Sequence, residues 1–142
     1  MKIKDLLTSP PPATGWTLDV AMAAVVRRQD KTGLRCAAVE MPDGVFEVGP
    51  NQYQAVIVAQ AWSYTPAEIT VPAGAEVEFV ISTRDVIHGF MIPRTRVNIM
   101  LIPGRVSKVS HTFDEPGVHN IICHEFCGLG HSQMFGRVVV EQ

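Results

Sequence analysis

The sequence predicts an all-β domain, a sandwich or barrel of short strands. Three observations predict it. Apolar runs rich in valine and isoleucine recur from Tyr53 onwards. Two of the segments, 76–82 and 106–113, alternate apolar and polar residues with the period of a half-buried strand. Proline and glycine separate the segments at short, regular intervals, as in other antiparallel β folds.

Residues 1–50 are less clearly patterned, and we treat them as an N-terminal extension of unknown role. The run Pro10–Pro12 is expected to be extended. Thr17 is a candidate cap for a short helix from Leu18 to about Gln29. Segments 35–41 and 45–48 flank Pro-Asp-Gly and predict a hairpin.

Residues 51–142 form the predicted main domain, and each of its strands is bounded by turn residues. Segment 76–82 directs Val77, Phe79 and Ile81 to one face. Segment 106–113 directs Val109, His111 and Phe113 to one face. The predicted strands are 55–61, 68–71, 76–82, 97–102, 106–113, 118–123 and 136–140.

Composition limits the classes of protein to consider. The chain has 142 residues with 46% hydrophobic and 18% charged residues, which indicates one globular domain rather than disorder. The formal net charge is −2, so we expect no nucleic-acid partner, because phosphate binding requires a basic surface. Three cysteines do not make a full disulfide framework.

No segment reaches the roughly 18 to 20 apolar residues of a membrane-spanning helix. The segment Trp16–Val26 is too short, contains Asp19 and ends before two arginines. The amino terminus also lacks the continuous apolar stretch of a signal peptide. We therefore expect either an intracellular chain or one whose targeting segment has been removed or replaced.

The chemistry is concentrated between Cys123 and Met134. Cys123, Cys127, His131 and Met134 follow one another at intervals of four, four and three residues, in a segment that Gly128 and Gly130 mark as a loop. Thiolate and thioether are soft ligands and imidazole is borderline, so this set favours copper over magnesium, calcium or manganese. Zinc accepts cysteine and histidine but rarely methionine.

The number of metal ions is open from these residues alone. A single blue-type copper needs two histidines, one cysteine and a weak axial methionine, which His88, either cysteine, His131 and Met134 would supply. One cysteine is then left over. Two thiolates that each bridge two copper ions account for both cysteines, and sharing charge across the bridges keeps the reorganisation on electron transfer small.

The motifs resemble a known family. Asp85-Val-Ile-His88-Gly-Phe90, followed by Cys123-x3-Cys127-x3-His131-x2-Met134, is similar to the CuA domain of subunit II of haem-copper cytochrome c oxidases. The resemblance extends from about Asn51 to Glu141. Gly-Pro-Asn-Gln-Tyr at 49–53 and His-Gly-Phe at 88–90 look most like the ba3-type branch. The family implies a Greek-key sandwich of the cupredoxin type.

The resemblance also implies a role for each ligand. Cys123 and Cys127 would bridge two copper ions in a mixed-valence CuA centre. His88 and Met134 would complete one copper, and His131 and the backbone carbonyl of Glu125 the other. In many relatives the glutamate also reaches a magnesium ion. Asp85 is a candidate to hold the His88 ring, since metal-bound histidines usually donate their free N–H.

The family further implies partners and a location. Cytochrome c would donate one electron, and the domain would pass it to a haem in catalytic subunit I, with no reaction catalysed by the domain alone. Trp62, Tyr64 and Phe126 are candidate points of electron uptake. Subunit II domains face the periplasm or cell exterior. Relatives carry an N-terminal membrane helix that this sequence lacks, so we expect a soluble fragment or an altered terminus.

Alternative interpretations are a CuA domain of a nitrous oxide or nitric oxide reductase, a mononuclear blue-copper carrier and a copper chaperone. Cys123 and Cys127 could also form a disulfide, although that would leave the histidines and Met134 unexplained. We expect no metal role for His111, His119 or His124.

Overall fold

The computed structural model describes residues 28–30, 33–35 and 42–142, and within them the predicted all-β class is confirmed. A single turn of 3₁₀ helix, His131–Gln133, interrupts the strands. The strands are β1 Arg28–Asp30, β2 Gly33–Arg35, β3 Gly44–Gly49, β4 Gln52–Gln60, β5 Ser63–Thr65, β6 Glu68–Pro72, β7 Ala75–Thr83, β8 His88–Met91, β9 Asn98–Leu101, β10 Ser107–Phe113, β11 Gly117–Ile122 and β12 Phe135–Glu141.

Two five-stranded sheets form the domain. The first, sheet 1, has the order β10-β7-β4-β3, with β5 also paired to β4. The second, sheet 2, has the order β6-β12-β11-β8-β9. The chain crosses repeatedly between the sheets, so β4 and β7 pair in parallel in sheet 1 and β6 and β12 pair in parallel in sheet 2. A separate antiparallel pair joins β1 to β2.

The core lies between the two sheets and includes the alternating residues of β7. Val77, Phe79 and Ile81 are fully buried, as the period of the strand predicts. The ring of Phe79 packs against Phe90 of β8 at 5.5 Å and Phe113 of β10 at 6.3 Å between centroids. Burying each aromatic ring stabilises the fold by about 1.5–3 kcal/mol, so this cluster fixes how the sheets pack.

The strand pairing in sheet 2 positions the site. His88 is the first residue of β8, and its Cα partner is Leu101 of β9. At the other end of β8, Met91 is opposite Ile122, the last residue of β11. Cys123 follows directly. The register therefore brings a histidine from one segment beside a cysteine that lies 35 residues later.

Seven predicted strands correspond to β4, β6, β7, β9, β10, β11 and β12, while β5 and β8 were not predicted. Residues 45–48 are a strand as expected, but β3 pairs with β4 and begins before the domain boundary predicted at residue 51. Residues 36–41 of the predicted partner segment 35–41, and most of the predicted helix 18–29, lie outside the described residues. The last residues of that helix, Arg28 and Gln29, are instead in β1. No helix within the described part of the chain has the length and hydropathy to cross a membrane.

Candidate metal centre

His88 reaches the site from the start of a buried strand. Its side chain is fully buried, and its Nε2 lies 2.8 Å from Asp85 Oδ1. Its other ring nitrogen, Nδ1, is buried and has no hydrogen-bond partner among the described residues. Buried polar atoms are nearly always paired. Nδ1 is therefore available as a ligand, while Nε2 is held by the carboxylate.

Asp85 accepts hydrogen bonds from several groups around the His88 segment. Its Oδ1 is 2.7 Å from the Val86 amide nitrogen, and its Oδ2 is 2.6 Å from the Ala61 amide nitrogen. Burial by itself raises the pKa of Asp85. The hydrogen bonds from His88, Ala61 and Val86 outweigh that effect, so its pKa falls to about 2. The carboxylate is therefore ionised at neutral pH and orients the imidazole.

The Cys123–Met134 loop, which we call the ligand loop, closes on itself. The Cys123 amide donates to the Met134 carbonyl at 3.4 Å, which joins the two ends of the loop. Within it, the His131 amide donates to Gly128 O at 3.1 Å and the Gln133 amide to Gly130 O at 3.0 Å. These local hydrogen bonds form the 3₁₀ turn that carries His131 and Met134 toward the cysteines.

The loop brings five candidate donors together. The sulfurs of Cys123 and Cys127 are 3.7 Å apart. Cys127 Sγ is 3.5 Å from His131 Nδ1 and 3.8 Å from Met134 Sδ. Cys123 Sγ is 3.2 Å from the carbonyl oxygen of Glu125. The nearest ligand atoms of His88, Cys123 and Cys127 all lie within 4.8 Å of one another, so His88 completes the cluster.

Both thiols are free, and their separation is far beyond the about 2.0 Å of a disulfide bond. Burial, the hydrogen bond with Cys123 and the charges of Cys123 and Asp85 raise the pKa of the Cys127 thiol to about 11. A nearby positive charge is therefore needed to hold the Cys127 sulfur as a thiolate at neutral pH, and a bound metal ion would supply it.

The residues present fit a copper centre. The donor set combines two buried thiols, two imidazole nitrogens, a thioether and a backbone carbonyl, and soft ligands of this kind select copper. The unpartnered Nδ1 of His88 points to the same conclusion, because a metal ion would satisfy it. The Glu125 carboxylate is directed elsewhere, 3.3 Å from His124 Nδ1.

The three aromatic residues singled out from the sequence lie in different environments. Phe126, within the ligand loop, is 80% exposed, and Trp62, which packs beside the loop, is 41% exposed, so both are at the surface. Tyr64 is only 2% exposed, and its hydroxyl donates to Gly89 O at 2.6 Å. Burial and then the neighbouring Cys123 raise the pKa of Tyr64 far above its usual value. Tyr64 therefore does not offer a surface for a partner.

Sequence reasoning missed two backbone amides that hold the site. The Gly89 amide donates to Cys123 Sγ at 3.3 Å, and the Ala61 amide donates to Asp85. A Cβ at Gly89 would lie 2.6 Å from the backbone nitrogen of His124, so only glycine allows β8 to approach the ligand loop this closely. Gly89 belongs to the His-Gly-Phe motif noted in the sequence, but the sequence does not show why glycine is required at this position.

Comparisons with known proteins agree with this geometry. The family described as cytochrome c oxidase subunit II, periplasmic domain, matches residues 56–142. A cytochrome c oxidase subunit 2 of Thermus thermophilus is 43% identical over 128 residues, which cover 89% of this chain and 95% of the relative. A haem-copper oxidase subunit 2 of Aeropyrum pernix is 45% identical over 74 residues, covering 51% and 32% of the two chains.

Solved structures give the same result at the level of the fold. A chain in the cryo-EM structure of a haem-copper terminal oxidase dimer is 35% identical and superposes with a TM-score of 0.62, covering 72% of this chain and 80% of that one. The periplasmic domain of subunit II from Bradyrhizobium japonicum has a TM-score of 0.58 at 21% identity, covering 63% and 83%. The predicted cupredoxin-type fold is confirmed. The chain belongs to the family of cytochrome c oxidase subunit II periplasmic domains.

Proposed function

We propose that this domain transfers single electrons through a dinuclear, mixed-valence CuA centre. The observation that carries the proposal is the meeting of two free, buried thiols 3.7 Å apart with the unpartnered Nδ1 of His88. A mononuclear blue site uses one cysteine and leaves the other without a role. The ligand atoms of His88 and both cysteines lie within 4.8 Å of one another, which supports a shared, bridging arrangement.

In this proposal each donor has a defined place. Cys123 and Cys127 bridge the two copper ions, His88 and Met134 complete one, and His131 and the Glu125 carbonyl complete the other. When bound, the copper pair supplies a one-electron redox couple. The protein holds the donors in place through the closed ligand loop and the Asp85–His88 hydrogen bond, so a change of charge moves them little.

The proposed partners follow from the family. Subunit II of a haem-copper oxidase works beside catalytic subunit I, so we infer that this domain receives electrons from cytochrome c and passes them to a haem in that subunit. We place it on the periplasmic or outer face of the membrane. It catalyses no reaction alone, because its donor set fills the coordination positions and leaves none open for a substrate.

Electron uptake is proposed at the exposed aromatic residues Trp62 and Phe126. Phe126 projects from the ligand loop, and its ring centroid is 5.7 Å from that of His131. Phe126→Ala is expected to slow reduction by cytochrome c while the copper spectrum is unchanged, as stopped-flow kinetics would show. Val118→Ala is the control, since Val118 is 60% exposed at the far end of β11. Equal rates in both variants would remove Phe126 from the path.

Electron paramagnetic resonance with a copper count tests the main proposal. Two coppers per chain, with the hyperfine pattern of one unpaired electron shared by both nuclei, would support CuA. One copper per chain with a localised hyperfine pattern would contradict it and indicate a blue-copper site. Zinc-loaded protein is the control, since zinc is redox-inactive and would give no signal.

A further inference from the structure

The turn between β4 and β5, Ala61–Trp62, contacts both segments that carry the candidate ligands. On one side, the Ala61 amide donates to Asp85 Oδ2 at 2.6 Å, and the other oxygen of that carboxylate holds His88. On the other side, the indole Nε1 of Trp62 donates to the carbonyl oxygen of Cys127 at 3.0 Å. Two adjacent residues thus form hydrogen bonds with both the His88 segment and the ligand loop.

The Trp62 ring also packs directly on the ligand loop. A Cβ at Gly128 would lie 3.0 Å from Trp62 Nε1, and one at Gly130 would lie 2.4 Å from Trp62 Cδ2. Gly130 has φ −92°, a conformation open to any residue. The requirement for glycine at position 130 therefore comes from the indole ring and not from the backbone.

We propose that the Ala61–Trp62 turn is a positioning clamp that fixes the ligand loop relative to the His88 segment. Trp62 acts on the metal through the Cys127 carbonyl and the Gly128–Gly130 backbone, and it does not itself bind the metal. The inference rests on the proposed function only for the identity of the ligands. A role in electron uptake at the same residue would depend on its exposed edge, whereas the clamp depends on its N–H and its buried face.

Hydrogen exchange in the metal-free protein tests the clamp without copper. Trp62→Phe removes the N–H and retains an aromatic ring. We expect the amides of His131 and Gln133, which close the 3₁₀ turn, to exchange roughly two- to tenfold faster, the effect of one lost hydrogen bond. Leu129→Ala is the matched control in the same loop, since Leu129 is 96% exposed. Exchange rates in Trp62→Phe equal to the wild type would overturn the proposal.

A rescue experiment separates positioning from general stability. Gly130→Ala is expected to speed release of copper to a chelator in the wild-type background, because the new methyl group displaces the indole. In the Trp62→Ala background the same methyl has space, so Gly130→Ala should change the release rate much less. Equal effects in both backgrounds would refute the clamp.

Spectroscopy supplies a readout that loss of stability does not change. The copper hyperfine splitting of Trp62→Phe should differ from that of the wild type, while Leu129→Ala should retain the wild-type splitting. If neither the wild type nor any variant shows an unpaired electron shared by two coppers, the proposed function is wrong. The hydrogen-exchange experiment on the metal-free protein would still show whether the Ala61–Trp62 turn fixes the ligand loop.

Discussion

The two segments that bring ligands to the site are built in opposite ways. His88 stands on a strand of sheet 2, fully buried, with its ring held by a carboxylate three residues earlier. The other donors lie on the ligand loop, which is closed by its own backbone hydrogen bonds and exposes Phe126 and Leu129 to solvent. One segment depends on the packing of the whole sandwich, and the other is closed by its own backbone and held from outside by Trp62 and the Gly89 amide.

This difference indicates a division of tasks. The strand supplies a fixed reference, because moving His88 would disturb the pairing of β8 with β9 and the packing of Phe90 against Phe79. The loop supplies most of the candidate donors at short spacing, so we expect it to determine which metal binds and how many ions. Substitutions of the donors in the loop should therefore change the type of site, and substitutions that loosen the His88 ring should change how tightly the site binds metal.

The largest effect on copper binding is expected from replacing a cysteine of the ligand loop. Cys127→Ser removes one of the two proposed bridging sulfurs and the neighbour of His131 and Met134. Copper should fall below two ions per chain and the shared hyperfine pattern should disappear, as metal analysis and electron paramagnetic resonance would show. The third cysteine of the sequence is Cys36, and Cys36→Ser is the matched control, which should retain both the two coppers and the shared pattern. If the Cys127 variant keeps two coppers with an unchanged spectrum, the bridging assignment is wrong.

A smaller effect is expected next to the strand. Asp85→Asn places an amide group where three N–H donors now meet a carboxylate, so the His88 ring loses its fixed orientation. Two coppers should still bind, with affinity lowered roughly 10- to 100-fold, as a chelator competition would measure. Asp43→Asn, at an exposed position before β3, should leave the affinity unchanged. Similar affinities for both variants would argue against a role for Asp85.

Tyr64→Phe tests how much the hydrogen bond from the Tyr64 hydroxyl to β8 stabilises the protein. The variant removes the buried hydroxyl that donates to Gly89 O and leaves the carbonyl without that bond. The free energy of unfolding of the metal-free protein should fall by about 1 kcal/mol in urea titration, with the copper count unchanged. Tyr53→Phe removes the same atom from the partly buried tyrosine of β4 and is the control. A larger loss in the control would contradict this account.

The smallest effect concerns a histidine away from both segments. Burial and the charges of His119 and Arg96 lower the pKa of His111, although Asp114 opposes them. The unfolded chain therefore takes up this proton more readily, so stability should decrease as the pH falls below about 6.5. His111→Gln should reduce the drop in urea midpoint between about pH 7.5 and about pH 5.5. The same drop in both proteins would exclude His111 as its source.

The sequence was sufficient for features that depend on neighbouring residues. Alternation over 76–82 predicted which side chains of β7 enter the core, and the spacing from Cys123 to Met134 predicted the donors that the ligand loop brings together. Strands β5 and β8 are only three and four residues long, too short to show a period, whereas the end of the equally short β9 was marked by the Pro-Gly turn at 103–104. Their strand conformation depends on partners elsewhere in the chain.

Long-range contacts explain the rest of what was missed. The bond from Trp62 to Cys127 joins positions 65 residues apart, and the one from Ala61 to Asp85 joins positions 24 apart. Tyr64 was grouped with Trp62 from its place in the chain, yet Trp62 lies in the turn before β5, whereas Tyr64 is on β5, where pairing with Ala59 of β4 places it in the core. No local pattern carries that information.

The unpartnered nitrogen of His88 has a consequence for the life of the protein in the cell. A metal-free chain carries a buried polar atom without a partner, and a metal ion that binds only the folded state adds to its stability by mass action. Chains that have received their metal are therefore unfolded less often than chains that have not. We therefore expect proteases that act on transiently unfolded chains to degrade metal-free chains first, so that metal binding would protect the matured protein.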